Sequence, residues 1–156
     1  MIRPTTPDDT TALIAIADAI GFLPNEIEEF SQMLADYFGG DSDSDRFWIT
    51  DDDNGAVGAA YCEPERMTDR TWNLLFIAIR PDRQGQGRGA ALLRYVEQTL
   101  TARGERVLIV ETSGLASFLG TRTFYAKCGY EEEGRIRDFY ATGDDKVVFR
   151  KVLNAD

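Results

Sequence analysis

The stretch Arg83-Gln84-Gly85-Gln86-Gly87-Arg88-Gly89 constrains this chain more than any other. It follows an apolar run, Asn73 to Ile79, and precedes an amphipathic one, Ala90 to Leu100. A glycine-rich loop therefore joins a strand to a helix. Glycine lets the backbone approach an anion with no Cβ in the way. A helix starting directly after such a loop presents unpaired N–H groups and the positive end of its dipole. The pattern reads as a site for phosphate or pyrophosphate, and Arg83 and Arg88 add charge that suits it. The bland alternative is a plain tight turn. No Gly-Lys-Ser/Thr follows, so this is not a P-loop. The glycines at 85, 87 and 89 also lack the wider second spacing of a dinucleotide fingerprint.

The chain has 156 residues and contains no histidine. That removes Ser-His-Asp triads, Cys-His pairs and histidine-based zinc sites. Its two cysteines, Cys62 and Cys128, are too few for a disulfide framework or an unaided structural zinc site, and no metal is expected. Chemistry must use Tyr, Glu, Asp, Lys, Cys, Ser, Thr, backbone or water. A net charge of −10 argues against nucleic acid and anionic membranes as partners. It fits either a cationic acceptor or plain solubility. The acidic clusters Asp41 to Asp45 and Asp51 to Asp53 read as solvated loops. No apolar run reaches the length of a membrane span, and Met1-Ile2-Arg3-Pro4 is not the start of a signal peptide, so a cytoplasmic protein is expected.

Periodicity predicts a short strand at Ile2 to Thr5 and a helix from Pro7 to Ile20. A second helix is predicted with Asn25 as cap and Glu28 in the capping-box position, ending at Gly39-Gly40. Strands follow at Arg46 to Thr50 and Ala56 to Cys62, joined by the turn Asp53-Asn54-Gly55. Thr71 to Arg80, apolar on both faces, is expected to be a central buried strand. Next come a helix from Gly87 to Arg103, a strand from Arg106 to Thr112 and a helix from Thr121 to Lys127, after an extended segment from Ser113 to Gly120. Tyr130 to Asp138 and Lys146 to Val152 are the last strands. Strands, helices and βαβ crossovers in this order make an α/β domain with a mixed sheet.

A second motif, Phe124-Tyr125-Ala126-Lys127-Cys128-Gly129-Tyr130, ends a helix and enters a strand. Together with Gln84-x-x-Gly87-x-Gly89, preceded by Arg80-Pro81-Asp82-Arg83, it resembles the two signatures of the GNAT acetyltransferase superfamily. One strand lies between the motifs, as in that family. The resemblance implies a single acetyltransferase domain over residues 1–156, its mixed central sheet flanked by about four helices and its central strands splayed. It implies acetyl-CoA as acyl donor and an amine, small molecule or peptide, as acceptor. A homodimer is compatible with it.

By the same resemblance, amides of Gln84, Gly85, Gln86, Gly87, Arg88, Gly89 and Ala90 would hold the pyrophosphate. The backbone of Ile77 and Ile79 would pair with the pantetheine arm. Lys127 or Arg83 would meet the 3′-phosphate, though a solvent-facing Lys127 is as good a reading. Tyr125 is the candidate partner of the leaving thiolate. With ordinary pKa values, full proton transfer from phenol to thiolate is uphill by roughly 2 kcal/mol, so a hydrogen bond matters as much as transfer. The amine must also lose a proton, and Glu111 or Glu63, acting through water, are candidate bases. Glu111 is favoured slightly, a surface salt bridge is the plain alternative for both, and Asn73 would orient water. Family members carry an asparagine seven residues before the tyrosine, where this chain has Phe118.

Cys128 invites a covalent acyl relay, but a helix end disfavours its thiolate and a structural role fits better. The acceptor is expected between the first two helices (Phe22, Glu26, Phe30) and the loop of the last two strands (Asp138, Phe139, Tyr140). Phe22 and Phe30 are equally readable as core. The alternative on the same fold is a non-catalytic acyl-CoA-binding sensor, and a nucleotide-binding regulatory domain is a third reading.

Overall fold

Strand β1 (Ile2–Pro4) pairs antiparallel with β2 (Phe47–Asp52), and β2 with β3 (Ala56–Pro64). These come from a computed structural model that describes residues 1–40 and 45–155. The hairpin turn follows from its residues. Asn54 and Gly55 take left-handed φ values of 58° and 114°, and Asp52 accepts the Gly55 N–H at 2.9 Å. Between β1 and β2 come a 3-10 turn, Pro7–Asp9, and helices α1 (Thr10–Ala19) and α2 (Pro24–Gly39). After β3 follow β4 (Thr71–Ile79), a 3-10 turn at Pro81–Arg83 and α3 (Arg88–Ala102). Then come β5 (Val107–Ser113), a 3-10 turn at Ala116–Phe118, α4 (Leu119–Lys127), β6 (Glu131–Ala141) and β7 (Asp144–Val152). The described residues thus form an α/β fold with four α-helices and a seven-stranded mixed sheet of order β1-β2-β3-β4-β5-β7-β6. Among them, no helix is long and apolar enough to cross a membrane.

Contacts divide the chain into two compact units. One comprises Met1–Glu63 with Phe76–Val96, the other Pro64–Leu75 with the chain from Glu97 onward. In the first, Leu13, Ile16 and Ala17 of α1 and Phe30 and Leu34 of α2 bury a common stripe with Trp48 and Tyr61. Helical spacing puts these side chains on the inward faces. Trp48 stacks on Tyr61 with centroids 4.6 Å apart, and Phe30 meets Trp48 edge-on at 5.6 Å. In the second, β4 pairs in parallel with β5, β5 antiparallel with β7, and β7 with β6. Tyr125, Tyr130 and Phe149 form its aromatic centre, with ring centroids 5.7–5.9 Å from Tyr125.

Several boundaries differ from expectation. Helix α2 starts at Pro24, not after an Asn25 cap, because Glu26 turns back to accept the Leu23 N–H at 2.8 Å. Proline at the first helical position has no N–H to leave unpaired. Asp51 and Asp52 belong to β2, and Asp51 is buried, not part of a solvated loop. Of the other acidic cluster, 41–44 lie outside the described residues. The segment before α4 is not extended but makes a 3-10 turn, and α4 begins earlier, at Leu119. Strand β4 is not buried throughout: its ladder with β5 covers only Thr71–Leu74, and Leu75 just beyond it is 44% exposed.

Gly58 sits in β3 where a Cβ would lie 2.5 Å from Ile79 Cδ1 and 2.9 Å from the Ala78 carbonyl oxygen. The isoleucine can turn away, but the backbone oxygen cannot. Gly58→Ala is expected to cost about 1–3 kcal/mol by overpacking. A thermal melt checks this; an unchanged midpoint would mean that β3 and β4 separate freely at this point.

Candidate active site

The glycine loop is exposed from Gln84 to Gly87. Gly85 and Gly87 both have φ of +78°, and a Cβ at either would meet nothing within 4 Å. Their conformation is one that side-chain-bearing residues avoid, and the space beside them is open. Helix α3 starts at Arg88, and the Ala91 N–H is bonded to the Gly87 carbonyl at 3.1 Å. The amides of Arg88, Gly89 and Ala90 therefore lie in the first turn, where helix geometry supplies no intrahelical acceptor. Open glycines followed by first-turn amides and a helix dipole make a cradle for an anionic oxygen.

The side chains around this cradle do something else. Gln84 Nε2 donates to the Ile79 carbonyl at 3.0 Å, and its own N–H points to the Pro81 carbonyl at 3.4 Å. Gln84 thus braces the end of β4. Ile79 is buried and Ile77 partly so. Arg88 reaches Asp51 at 3.0 Å and Asp53 at 2.8 Å, while Arg83 reaches Asp53 at 2.5 Å. Hydrogen bonding from Arg83 first, then its charge and that of Arg88, holds the Asp53 carboxyl below the usual range. Arg88 also donates to Gln86 Oε1 at 3.1 Å. The charge that the sequence places beside the loop is spent on tying it to the β2–β3 turn.

Tyr125 lies in α4, is buried at 4% exposure and keeps ring contact with Phe124, Tyr130 and Phe149. Burial, with a smaller push from Cys128, raises its phenol above the ordinary tyrosine value. It stays protonated and is a hydrogen-bond donor rather than a ready acid. Its helix ends in an anchored turn. Lys151 Nζ donates to the Cys128 carbonyl at 2.9 Å and to Glu97 at 3.1 Å, and Tyr130 donates to Glu97 at 2.6 Å. Lys127, in the same last turn, is exposed.

The candidate bases are both engaged. Glu111 pairs with Lys146 at 3.0 Å and accepts from Asn73 at 3.5 Å. Glu63 accepts the Tyr61 hydroxyl at 2.5 Å. Lys146 was not singled out in the sequence, although it sits opposite Ser113 in the β5–β7 register, two residues along β5 from Glu111. Strand alternation puts residues two apart on one face. Lys146 also lies 3.7 Å from the centre of the Phe139 ring. That ring therefore already faces a cation of the protein itself.

The remaining acceptor candidates fall in two groups. Phe22 meets Phe30 and Phe76 edge-on, and Phe30, at 3% exposure, is core. Glu26 caps α2. Asp138 lies in a β-bulge of β6 with φ of 57°; its carboxylate accepts the Gly143 N–H at 2.7 Å, and its own N–H goes to Asp145 at 2.9 Å. Phe139 and Tyr140 are half exposed.

A family model for the acetyltransferase (GNAT) domain matches residues 43–132, a span that holds both the glycine loop and Phe124–Tyr130. The chain belongs to the GNAT acetyltransferase family. Its fold resembles that of a GNAT-family protein from Desulfovibrio desulfuricans, with a TM-score of 0.90, 29% identity and 99% of each chain covered. It also resembles an aminoglycoside 6'-N-acetyltransferase complexed with coenzyme A, at TM-score 0.78, 16% identity and coverage of 100% of this chain and 98% of that one. A third structure, the ribosomal-protein-S18-alanine N-acetyltransferase of Escherichia coli, gives 0.79 at 22% identity, over 100% of this chain and 95% of that one. These last two establish likeness of fold alone. No curated protein matches the sequence.

In this GNAT chain the anchor behind Tyr125 is open to test. Lys151 is the cation shared by Glu97 and the Cys128 carbonyl just past α4. Removing it leaves a largely buried carboxylate without its ion partner. Lys151→Met is expected to destabilise by about 1–3 kcal/mol, read as a lower denaturation midpoint. A midpoint equal to wild type would show that the helix end holds without it.

Proposed function

We propose that the protein is an acetyl-CoA-dependent N-acetyltransferase that moves acetyl to a primary amine by direct attack, through a tetrahedral intermediate. The observation that carries this is the anion cradle between β4 and α3, in a chain of the GNAT family. Its two left-handed glycines with open space beside them, and the first-turn amides after them, suit a pyrophosphate. The coenzyme A named with one structure of the same fold fits that reading.

On this reading the amides of Gly85 to Ala90 take the pyrophosphate, and Gln84 holds the loop in shape. Arg83 and Arg88 set the loop's geometry more than its charge. The Ile77 and Ile79 backbone lies along the pantetheine arm, and Lys127 meets the 3′-phosphate. The protein's part in the chemistry is modest. The Tyr125 hydroxyl donates a hydrogen bond to the departing thiolate, and its raised pKa makes complete transfer still less favourable than ordinary values imply. A carboxylate removes the ammonium proton through water. Glu111 remains the better candidate, with Lys146 keeping it oriented. The acceptor is an amine such as those named for fold relatives, an aminoglycoside or a protein α-amine. Asp138, Phe139 and Tyr140, with Phe22, Glu26 and Phe30, remain the proposed acceptor-side residues. Phe30 would act only by packing, because it is buried.

Three measurements test this. Acetyl-CoA should bind and raise the melting temperature, whereas ATP and NAD should not. Gly87→Val, which puts a branched side chain into the cradle at a left-handed φ, should weaken acetyl-CoA binding strongly in calorimetry. Unchanged affinity in a folded variant rejects the site. Tyr125→Phe should lower kcat by about 10–100-fold, the loss of one hydrogen bond to a charged group, with little change in acetyl-CoA affinity. A wild-type kcat, where chemistry limits the rate, removes Tyr125 from the mechanism.

A further inference from the structure

Asn73 on β4 is buried, at 4% exposure, and its Oδ1 has no hydrogen-bond partner among the described residues. Its Nδ2 has two partners, Glu65 Oε1 at 2.9 Å and Glu111 Oε1 at 3.5 Å. Those carboxylates dictate which way the amide faces, since only its NH2 end can donate to them. A buried acceptor left without a donor is costly and rare in native proteins, so its retention calls for a reason.

Its position supplies one. Asn73 and Leu74 are the last β4 residues in the ladder with β5, opposite Ile109 and Val110, and Glu111 follows directly. Leu75, the next β4 residue, is exposed. The orphan oxygen therefore sits where the ladder stops. The charged groups around it are Glu65, Glu111 and, on the far oxygen of Glu111, Lys146 at 3.0 Å. Tyr140, half exposed, is close enough for the Glu111 charge, after burial, to raise its phenol pKa.

We propose that Asn73 Oδ1 receives an N–H of the acceptor amine, which docks as an ammonium favoured by Glu65 and Glu111. This rests on the acetyltransferase reading and specifies its acceptor end. An ammonium brings only donors, which is what an unpartnered oxygen beside two carboxylates accepts. An amide does not take up a proton at neutral pH, so Asn73 binds and orients the amine and leaves deprotonation to another group.

The test uses the full chain saturated with coenzyme A, and n-butylammonium as probe. The Asn73 side-chain NH2 pair is assigned in a ¹H–¹⁵N spectrum by its loss in Asn73→Leu. Titration with n-butylammonium should move this pair saturably. Tetramethylammonium, a cation with no N–H, should not. At saturating acetyl-CoA, Asn73→Leu should lower kcat/KM for n-butylamine by at least about tenfold, mostly through KM, as expected for one lost charged hydrogen bond. Its acetyl-CoA affinity should be unchanged. Asn73→Ala replaces it if the leucine does not fold. A pair that ignores n-butylammonium, or follows both cations alike, means that water alone fills the position and overturns the inference. So does a lower melting temperature with unchanged KM, the mark of a merely structural residue. Failure of acetyl-CoA to bind, seen separately by calorimetry, overturns the parent reading instead.

Discussion

The passage from β4 into α3 is the constraint on which the candidate site depends. The strand ends at Ile79 and the helix begins at Arg88, so the chain must reverse within one exposed loop. Two left-handed glycines make the reversal, and Gln84 closes it by bonding back to the Ile79 carbonyl. Asp51 is buried in β2 and needs a cation; Arg88, at the first position of α3, supplies it. The position of the helix start is thus coupled to the register of the neighbouring hairpin. The side-chain contacts that fix this start, from Arg88 and Gln84, leave the first-turn amides of α3 to their own geometry.

The second constraint is chemical. With no histidine, no side chain titrates near neutrality by default. Burial keeps Tyr125 protonated, Glu111 is paired with Lys146, and Glu63 accepts the Tyr61 hydroxyl. Such a site suits a reaction whose partners bring their own reactivity, an activated thioester and an amine. On the proposed reading the protein orients them and stabilises the departing sulfur, the latter through a protonated phenol that keeps its proton.

Much of this was legible in the sequence, for identifiable reasons. Glycine spacing at 85 and 87 encodes backbone conformation directly, because few other residues adopt positive φ. The Phe124–Tyr130 motif encodes a helix end entering a strand, and α4 and β6 meet there as expected. Cap choice was less legible. Both Glu26 and Glu28 precede an apolar helical stripe, and only the chain's entry angle at Leu23-Pro24 decides which one turns back. Pairings across the sheet were not legible at all. That Lys146 meets Glu111, that Arg88 meets Asp51, and that Asn73 lacks a donor all depend on register between strands far apart in sequence. Exposure of Leu75 depends on where a ladder stops, which a run of apolar residues does not reveal.

The acidity of the chain takes on a different meaning once these pairings are known. A site for a polyanion in a protein of charge −10 looks paradoxical if side-chain charge is what binds. Here the two arginines flanking the loop are matched by Asp51 and Asp53, so the local side-chain field is nearly balanced. What remains unbalanced is the backbone: a first helical turn whose geometry supplies its amides no intrahelical acceptor, and a dipole whose positive end lies at the cradle. Fixed peptide dipoles do not reorganise when an anion arrives, and they act over short range in the first turn. Recognition by dipoles at close contact tolerates a net negative surface, because solvent and salt screen the distant carboxylates far more than the amides touching the ligand. The arginines then serve shape, and the glycines serve access.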